Sequence, residues 1–256
     1  MSEFYGVGYP HDMPELPKDR KTINATNRFY FDTEDVVCDI LTTHIKNTRE
    51  VRFVAPNSAA QVALDSLIEK RGIKYTMFGM AFDYWVLGET FPYTELATYP
   101  DVGAMCTMNP NDIRVKKVLD SPDRISLISS EVIDDAISNT NVTKNEDGTI
   151  QLDAANISHL KMLASPYDIR GTSVIVSVYE DLERLRSAYF AQEIRKDDSD
   201  QGHIDLMIEA IKTKLMFGDE ATRQARYADF RLALTEWFEK IMGQVPELAG
   251  STIKFD

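Results

Sequence analysis

Histidines are the side chains that would first suggest catalysis or metal binding here, because imidazole titrates near neutral pH and binds zinc. The four histidines are His11, His44, His159 and His203. No pair has the HExxH or HxxxH spacing that places two imidazoles on one helix face, so the sequence predicts no metal site. His44 lies on the apolar face of a predicted helix, which favours a hydrogen-bonded core histidine. His159 precedes a β-like Leu-Lys-Met-Leu run and has no obvious catalytic Cys or Ser partner in the sequence.

Other motifs of enzyme sites are equally weak. Tyr5–Pro10 contains Gly-x-Gly, but it lacks the preceding strand and the following helix that a dinucleotide site requires. The phosphate-binding pattern GxxxxGK[ST] does not occur. Acidic residues are numerous, 41 among 256, so adjacent pairs such as Asp134 and Asp135 are expected by chance. We predict a non-enzymatic protein without a cofactor, and we keep a hydrolase with scattered site residues, for example His159 with Asp168, as a less favoured hypothesis.

Composition limits the partners of the chain. A formal net charge of −13 argues against a tight grip on nucleic acid, which depends on Lys and Arg neutralising phosphates. It suits solubility, or a surface to which DNA must not stick. Cys38 and Cys106 are far apart and indicate neither a disulfide framework nor a metal site. The polar, proline-rich N-terminus lacks the apolar segment of a signal peptide, and the most apolar run, Tyr75–Gly88, is shorter than the roughly 20 residues that span a membrane. We therefore expect a protein made inside the cell, with no membrane partner.

The first part of the chain is predicted to pass from helices into short strands. The predicted elements begin with an extended arm to about Asn27, a helix from Asp32 and a strand at Arg49–Val54. A helix from a Ser58–Gln61 capping box to Arg71, with Gly72 after it, comes next; a helix or strand through the aromatic run and a strand from Val86 follow. The remaining elements are short strands at Ala104–Met108, Ile113–Leu119, Ile125–Ser129 and Thr149–Leu152, and one short helix at Glu131–Ser138. The arm follows from Pro10, Pro14 and Pro17, which disfavour a helix. Turn signals such as Asn109–Asp112 separate the strands.

The last part of the chain is predicted to be helical. An apolar stripe with spacings of four, four, three and four consists of Val174, Val178, Leu182, Leu185 and Tyr189. The opposite face carries Glu180, Glu183, Arg184 and Ser187. Arg195–Gly202 is predicted to be a solvated loop, and Ile204–Phe217 and Glu220–Met242 are predicted to be two further helices. The β-branched run Val174–Val176 weakens the first turn of the long helix.

One segment resembles a known family. Ile157–Gln192 is similar to the part of tailed-bacteriophage portal proteins in which a histidine at a strand end precedes a loop, an Arg-Gly-x-Ser turn and a long helix. The residues that carry this match are His159, Arg170, Gly171 and Ser173. Upstream, Gly88–Leu96 and Met108–Val118 resemble a hairpin and a strand of that family, and the final STIKFD resembles a motif of its C-terminal region. Family members are commonly longer, so a small portal or a portion of one is expected.

The resemblance implies an α+β, portal-like fold with five regions. These are an extended N-terminal arm (1–27), the first part of a mixed α/β wing (28–108), a β-rich region that includes the clip (109–165), a stem helix with a tunnel loop (166–202), and a C-terminal helical wing or crown part (203–256). The turn formed by His159, Arg170, Gly171 and Ser173 would precede the stem helix. The DNA-tunnel candidates are Glu180, Glu183, Arg184, Ser187, Arg195 and Lys196. Ordinary solubilising surface is the alternative interpretation of Arg184, Arg195 and Lys196.

The resemblance also implies partners and a location. A portal is a homo-oligomeric ring, usually dodecameric, at the unique vertex of a virion that is assembled in the host cytoplasm. Its partners are the major capsid protein, the terminase large subunit, a tail adaptor or connector, and double-stranded DNA that passes through non-specifically. The main alternative is a head-completion or tail adaptor protein, which would share an acidic, ring-forming surface.

Overall fold

Helices and small antiparallel sheets make up the residues described by the computed structural model, namely 19–94, 105–117, 126–130, 143–144, 146, 149–152, 156–163, 168–195 and 201–255. The helices are α1 (Arg20–Thr33), α2 (Asp35–Arg49), α3 (Ser58–Arg71), α4 (Ile73–Phe82), α5 (Tyr179–Arg195), α6 (Gln201–Leu215) and α7 (Glu220–Met242). The strands are β1 (Val51–Val54), β2 (Glu89–Thr94), β3 (Met105–Met108), β4 (Ile113–Lys117), β5 (Ser126–Ser130), β6 (Thr143–Lys144), β7 (Ile150–Leu152), β8 (Leu160–Lys161) and β9 (Thr252–Phe255).

The strands form three antiparallel sheets around a mainly helical body. A two-stranded sheet pairs β1 with β9, close to the end of the chain, with Val51 opposite Phe255. A three-stranded sheet has the order β3-β2-β8, and a four-stranded sheet has the order β4-β5-β7-β6. Helices dominate and the sheets are small, which is compatible with the α+β class that the sequence predicted. The predicted short helix at Glu131–Ser138 lies outside the described residues.

The main core lies between the helices. Helix α7 runs from Glu220 to Met242 as predicted, and its apolar stripe is buried; the stripe consists of Tyr227, Phe230, Leu234, Phe238 and Ile241. Asp219 caps this helix by accepting a hydrogen bond from the Thr222 backbone N–H at 2.8 Å, the usual role of an N-cap carboxylate. Amphipathic spacing and cap chemistry are local signals, so both could be predicted from the sequence.

The core histidine prediction is confirmed. His44 is fully buried, its Nδ1 lies 2.7 Å from the Tyr227 hydroxyl, and its Nε2 lies 3.1 Å from the Leu215 carbonyl oxygen. The imidazole stacks on Trp85 with ring centroids 4.7 Å apart. Burial lowers the pKa of His44 to about 4, so the ring is neutral at physiological pH. The ring of His44 therefore links α2 to the last residue of α6 and to Tyr227 of α7.

The predicted extended arm is wrong from residue 20 onward. The three prolines all precede Asp19, whose side chain accepts a hydrogen bond from the Thr22 N–H and starts α1. Burial of Asn24, Asn27 and Tyr30 then holds α1 against the body. Residues 1–18 lie outside the described residues. The helix predicted from Asp32 is also corrected, because α1 runs through Asp32 and α2 begins only after Glu34.

The cap of α3 and the start of β2 differ from the predictions. The bounds of α3 are as predicted and Gly72 ends it with a positive φ of 62°, but the cap is Asn57, which accepts from the Ala60 N–H, and not Ser58. Gln61 instead accepts from the Ala55 N–H at 2.9 Å. The strand predicted from Val86 begins only at Glu89, because the buried run up to Leu87 forms a π-helical turn that ends at Gly88.

The long C-terminal segment opens as a tight helix. Val174–Val178 is a 3-10 helix that continues directly into α5, in keeping with the crowding of β-branched residues in its first turns. Ser173 begins it, with the side-chain oxygen accepting from the Ile175 N–H at 3.1 Å. The next helix, α6, starts at Gln201, three residues before the predicted Ile204.

Candidate functional site

A buried carboxylate lies at the centre of the turn that precedes the long helix. Glu89, the first residue of β2, has no solvent exposure. Its Oε1 accepts from Arg170 Nε and from Arg20 Nη2, each at 2.7 Å. Its Oε2 accepts from His159 Nε2 at 3.0 Å and from the Gly171 backbone N–H at 3.1 Å. We call these five residues the Glu89 hub.

The carboxylate of the hub is ionised despite its burial. Burial alone would raise the pKa of Glu89, but the hydrogen bonds from His159 and Arg170 and the charges of Arg20 and Arg170 outweigh it. The result is a pKa lowered to about 2. A buried ion that accepts several hydrogen bonds and faces two guanidinium groups is compensated, and removal of Glu89 or of either arginine would leave buried charge less well paired.

The two arginines extend the hub to neighbouring backbone. Arg170 donates from Nη1 to the Ile113 carbonyl at 2.8 Å and from Nη2 to the Pro110 carbonyl at 2.9 Å. Arg20 donates from Nη1 to the Gly171 carbonyl at 2.7 Å and from Nη2 to the Leu87 carbonyl at 3.0 Å. The planar, multidentate guanidinium suits this task, which a lysine could not perform. The hub therefore ties the start of α1, the start of β2, the 110–113 loop and the turn at 168–171 to one point.

His159, which the less favoured hydrolase hypothesis paired with Asp168, is part of the Glu89 hub. Its ring stacks on Phe91 with centroids 4.3 Å apart, and its Nε2 faces Glu89. Burial lowers the pKa of His159 more than Glu89 raises it, so a neutral ring donates its Nε2–H to the carboxylate. The backbone carbonyl of Asp168 accepts from Lys161 Nζ at 2.8 Å. The structure thus gives His159 a different carboxylate partner from the one expected.

Two glycines let the backbone segments cross within the hub. A Cβ on Gly171 would lie 2.0 Å from the Gly88 carbonyl oxygen, and a Cβ on Gly88, whose φ is +86°, would lie 2.2 Å from the Ser173 nitrogen. Met162 bridges the two segments, because its N–H donates to the Gly88 carbonyl at 2.8 Å and its carbonyl accepts from the Thr172 N–H at 2.9 Å. Ser173, which caps the long helix, follows immediately. The four residues of the predicted turn, His159, Arg170, Gly171 and Ser173, are therefore brought together at the entry to that helix.

The outer face of α5 divides into exposed and packed residues. Glu180 and Arg184 are both 58% exposed and lie 3.8 Å apart as an i,i+4 pair. Glu183, in contrast, is half-buried and accepts a short hydrogen bond from the Tyr30 hydroxyl of α1. Ser187 donates from its hydroxyl to the Glu183 carbonyl at 2.9 Å. The predicted uniform exposed face is therefore wrong at Glu183, because helix α1, which the sequence did not reveal, packs there.

The end of α5 departs from the predicted pattern in a second way. Tyr189, the last residue of the predicted buried stripe, is 42% exposed, so the stripe is buried only as far as Leu185. Arg195 is the last residue of α5, and Lys196 lies outside the described residues, as does most of the predicted tunnel loop. The tunnel role of all six candidates therefore stays a prediction.

A surface pocket of about 390 Å³ adjoins the hub between the 158–161 segment and α7. His159 lines it together with Trp237, Lys161 and Asp229. Among the described residues, no group of three or more His, Cys, Asp or Glu side chains is arranged to hold a metal ion. Within the same residues, the helices are too short or too polar to cross a bilayer. The hub itself, in which both carboxylate oxygens of Glu89 are hydrogen-bonded, is suited to hold segments together.

The most important residues missed from the sequence are Glu89, Arg20 and Tyr30. Glu89 offered one signal, a lone carboxylate directly after Gly88 at the start of a fully buried strand. Arg20 and Tyr30 offered none, because their partners lie far away in the chain; Arg20 contacts Gly171, 151 residues later.

Comparison with known proteins finds similarity in fold, but no matching family model or curated protein. No protein-family model matches the chain, and no curated protein matches it. A chain from the neck of a native gene transfer agent (GTA) particle, computed with C12 symmetry, aligns with a TM-score of 0.56 at 12% identity, over 94% of this chain and 84% of that chain. A chain from the neck of an empty GTA particle, computed with C6 symmetry, aligns with a TM-score of 0.54 at the same 12% identity and the same coverage.

A third alignment is partial. A chain from the virion of a native GTA particle matches with a TM-score of 0.48 at 13% identity, over 71% of this chain and only 46% of that chain. That similarity is too low to support an inference. At such identities the two alignments show that this chain shares its fold with those two chains from GTA neck structures.

Proposed function

We propose that this chain is a non-enzymatic structural subunit of a ring at the head–tail junction of a phage-like particle. The observation that carries the proposal is the shared fold over 94% of the chain with a neck chain from a particle computed with C12 symmetry. The sequence resemblance at His159, Arg170, Gly171 and Ser173 supports it independently, because it rests on residue identities and not on backbone shape. Virion localisation and a homo-oligomer follow from the same proposal.

The specific form we favour is a portal protein. In that form the ring is a dodecamer that contacts the major capsid protein and admits double-stranded DNA during packaging. It binds the terminase large subunit first and the tail connector later. The four-stranded sheet would belong to the clip, α5 would be the stem helix, and α6 and α7 would belong to the wing or crown. The Glu89 hub would then transmit load, since it anchors the entry of the stem helix to three other segments.

The charge of the chain supports a conduit. A wall that lets a polyanion slide should be net acidic with few cations, because many Lys and Arg contacts to phosphate would hold the DNA. The chain carries −13 overall, and Glu180 is exposed on α5. Arg184, Arg195 and Lys196 would form rings of positive charge that touch phosphates transiently. Glu183 and Ser187 would back the wall, since they are half-buried.

A head-completion or tail adaptor protein is the second candidate. The observation that favours it is that the two matches with TM-scores of 0.56 and 0.54 come from structures of a neck, a region that a ring other than a portal would also fit. Both candidates predict a ring, so ring formation alone does not separate them.

Binding to the terminase large subunit of the same particle separates the two candidates. The assembled chain is immobilised and titrated with purified terminase, with the unassembled chain as the control. A portal binds terminase in the assembled form. Binding of a tail protein without binding of terminase would assign the chain to the adaptor class and remove the clip and stem assignments.

A further inference from the structure

One wall of the pocket beside the hub is the edge of a strand. Four consecutive residues, from Ser158 to Lys161, line this pocket of about 390 Å³. Because successive side chains of a strand point to opposite faces, a pocket lined by consecutive residues lies along the strand edge. The opposite wall is one face of α7, whose lining residues recur at helical spacing; they are Asp229, Ala233, Glu236, Trp237 and Lys240. We call this pocket the edge groove.

The strand edge that lines the groove has backbone groups available for pairing. The Ser158 N–H donates to the Pro92 carbonyl of β2 at 3.1 Å, so Ser158 and, by strand alternation, Leu160 direct their backbone groups toward β2. The backbone groups of His159 and Lys161 therefore point to the other edge, and no hydrogen bond within the described residues uses them. A strand edge of this kind is a template on which another strand can add.

The other groups of the groove suit an uncharged polypeptide. Tyr84, Leu160 and Trp237 are buried residues that form its floor. The indole N–H of Trp237 has no hydrogen-bond partner among the described residues. The charged lining side chains are two lysines and two acids, namely Lys161, Lys240, Asp229 and Glu236. The groove thus offers a balanced charge, an apolar floor and a free strand edge, the features that recognise an extended segment through its main chain.

A segment near the start of the chain has the pattern of such a strand. Tyr5, Val7 and Tyr9 alternate with Gly6 and Gly8, which is the period of two typical of a strand with one apolar face. Tyr and Val favour strands, and glycine within a strand is typical of a place where another backbone approaches closely. The segment carries no charged side chain, in keeping with the balanced charge of the groove. We call Tyr5–Tyr9 the arm segment.

The chain joins the described structure at the hub, which adjoins the groove. Residues 1–18 lie outside the described residues and lead into Asp19. The next residue, Arg20, contacts Oε1 of Glu89, while His159, which lines the groove, contacts Oε2 of the same carboxylate. The nine residues between the arm segment and Asp19 span at most about 30 Å when extended. That length is enough for the arm segment to reach the groove of its own chain.

We propose that the arm segment binds in the edge groove of its own chain as an added β-strand. Its backbone groups pair with those of His159 and Lys161, and its apolar face covers the floor of the groove. The Trp237 indole N–H then lies beside a segment that can supply an acceptor. The inference concerns a single chain and does not depend on the proposed ring, so either can fail without the other.

Amide hydrogen exchange of the full chain, resolved to single residues, tests the strand pairing. In the wild type the N–H groups of His159 and Lys161 should exchange slowly, because the arm segment supplies their acceptors. Gly6→Pro with Val7→Pro removes an N–H from each of the two alternating sets of the segment. In that variant the exchange at His159 and Lys161 should become at least about tenfold faster, as expected when a local structure opens.

Two controls accompany this measurement. Leu160 pairs with β2, so its exchange should be the same in all variants. Asp12→Pro with Met13→Pro places the same two prolines later in the arm and should leave the exchange at His159 and Lys161 as slow as in the wild type. Fast exchange at these two positions in the wild type, or equal exchange in both proline variants, would overturn the inference.

A disulfide test identifies which chain supplies the arm segment. In a background with Cys38→Ser and Cys106→Ser, Val7→Cys is combined either with Ala233→Cys, at a position that lines the groove, or with Leu232→Cys, at the neighbouring position of α7, which is 61% exposed and does not line it. Only the Ala233→Cys combination should form a disulfide, and it should form within one chain, leaving a monomer on a non-reducing gel.

The other outcomes of the disulfide test contradict the inference. A disulfide between two chains, seen as a dimer on the gel, would show that the arm segment of a neighbouring copy fills the groove. Equal disulfide formation by both combinations would show an arm without a fixed site. Absence of any disulfide would show that the arm segment does not reach the groove.

Discussion

At the scale of single residues, the stability of the fold depends on one ionised carboxylate. Glu89 is buried with two arginines, a histidine and a backbone N–H directed at it. Glu89→Gln keeps the shape and removes the charge, leaving two guanidinium groups in a partly buried site without their anion. We expect a loss of about 3–5 kcal/mol in the free energy of unfolding, the usual cost of breaking a buried pair from one side. Urea denaturation at pH 7 measures it.

The control for Glu89 is Glu180→Gln, because Glu180 is 58% exposed and its pair with Arg184 is solvated. We expect that variant to stay within about 0.5 kcal/mol of the wild type, as most surface substitutions do. Equal effects of the two substitutions would contradict the central role assigned to the Glu89 hub.

Acid should destabilise the protein through His44. The pKa of His44 is lowered to about 4 in the folded protein, so the unfolded chain takes up a proton first as the pH falls below about 6.5, and stability is lost down to about pH 4. Asp83, whose burial raises its pKa from 3.8 to about 7, acts in the opposite direction over the whole of this range, because the folded protein takes up that proton first. The informative quantity is therefore the difference between the wild type and His44→Gln.

Denaturant unfolding at pH 7 and at pH 4 measures that difference. Between these pH values the wild type should lose about 3 kcal/mol more than His44→Gln, which corresponds to one suppressed proton. His203→Gln, at an exposed position on α6, is the matched control. Parallel pH profiles for the wild type and His44→Gln would show that His44 does not titrate differently in the folded and unfolded states.

At the scale of elements, the close crossing of two backbone segments is the feature least tolerant of change. Gly171→Ala would place a methyl group 2.0 Å from the Gly88 carbonyl oxygen, a backbone atom that cannot rotate away. We expect a loss of at least about 3 kcal/mol, at the upper end of overpacking costs. Gly202→Ala, where an added Cβ meets nothing within 4 Å and lies in α6, should be neutral or slightly stabilising. Thermal unfolding of both variants tests this, and similar melting temperatures would contradict the crossing.

Two carboxylates on α5 should separate folding from function. Glu183→Lys removes the acceptor of the Tyr30 hydroxyl and should detach α1 from α5, which lowers stability. Glu180→Lys, on the exposed face, should leave stability unchanged and, in the proposed conduit, slow DNA packaging and ejection. Unfolding curves and DNA packaging rates are the two measurements. If Glu180→Lys packages at the normal rate, Glu180 does not face the tunnel; if Glu183→Lys is as stable as the wild type, the contact with α1 is unimportant.

The elements differ in how well the sequence predicts them, and the reason is the range of the interactions that fix each one. Both ends of α7 and the end of α3 were predicted to the residue, because the glycine that ends α3 and the aspartate that caps α7 are local signals, as is apolar periodicity. Helix α1 was missed because the prolines before Asp19 were taken to disfavour a helix beyond it as well. The contacts that hold α1 in place, such as the one from Arg20 to Gly171, join residues up to 151 positions apart, so the local sequence does not reveal them. The turn residues before the long helix were identified by resemblance, but Glu89, which joins them, needed the structure.

At the scale of the whole molecule, the acidic surface should keep DNA from adhering. A chain of net charge −13 offers few sites for counterion release, so the assembled protein should bind duplex DNA no more tightly than the weak end of non-specific affinities, a Kd of about 10⁻⁴ M or weaker at physiological salt. Fluorescence anisotropy with a short duplex measures this. Micromolar binding would contradict a conduit in which DNA slides, and would point to a protein that holds DNA.

The ring is the central claim, and single-particle imaging of the purified full chain tests it most directly. We predict class averages with a rotational symmetry axis and an axial hole wide enough for duplex DNA, in keeping with the fold shared with a neck chain from a particle computed with C12 symmetry. A uniform population of monomers or dimers at high protein concentration would contradict the account.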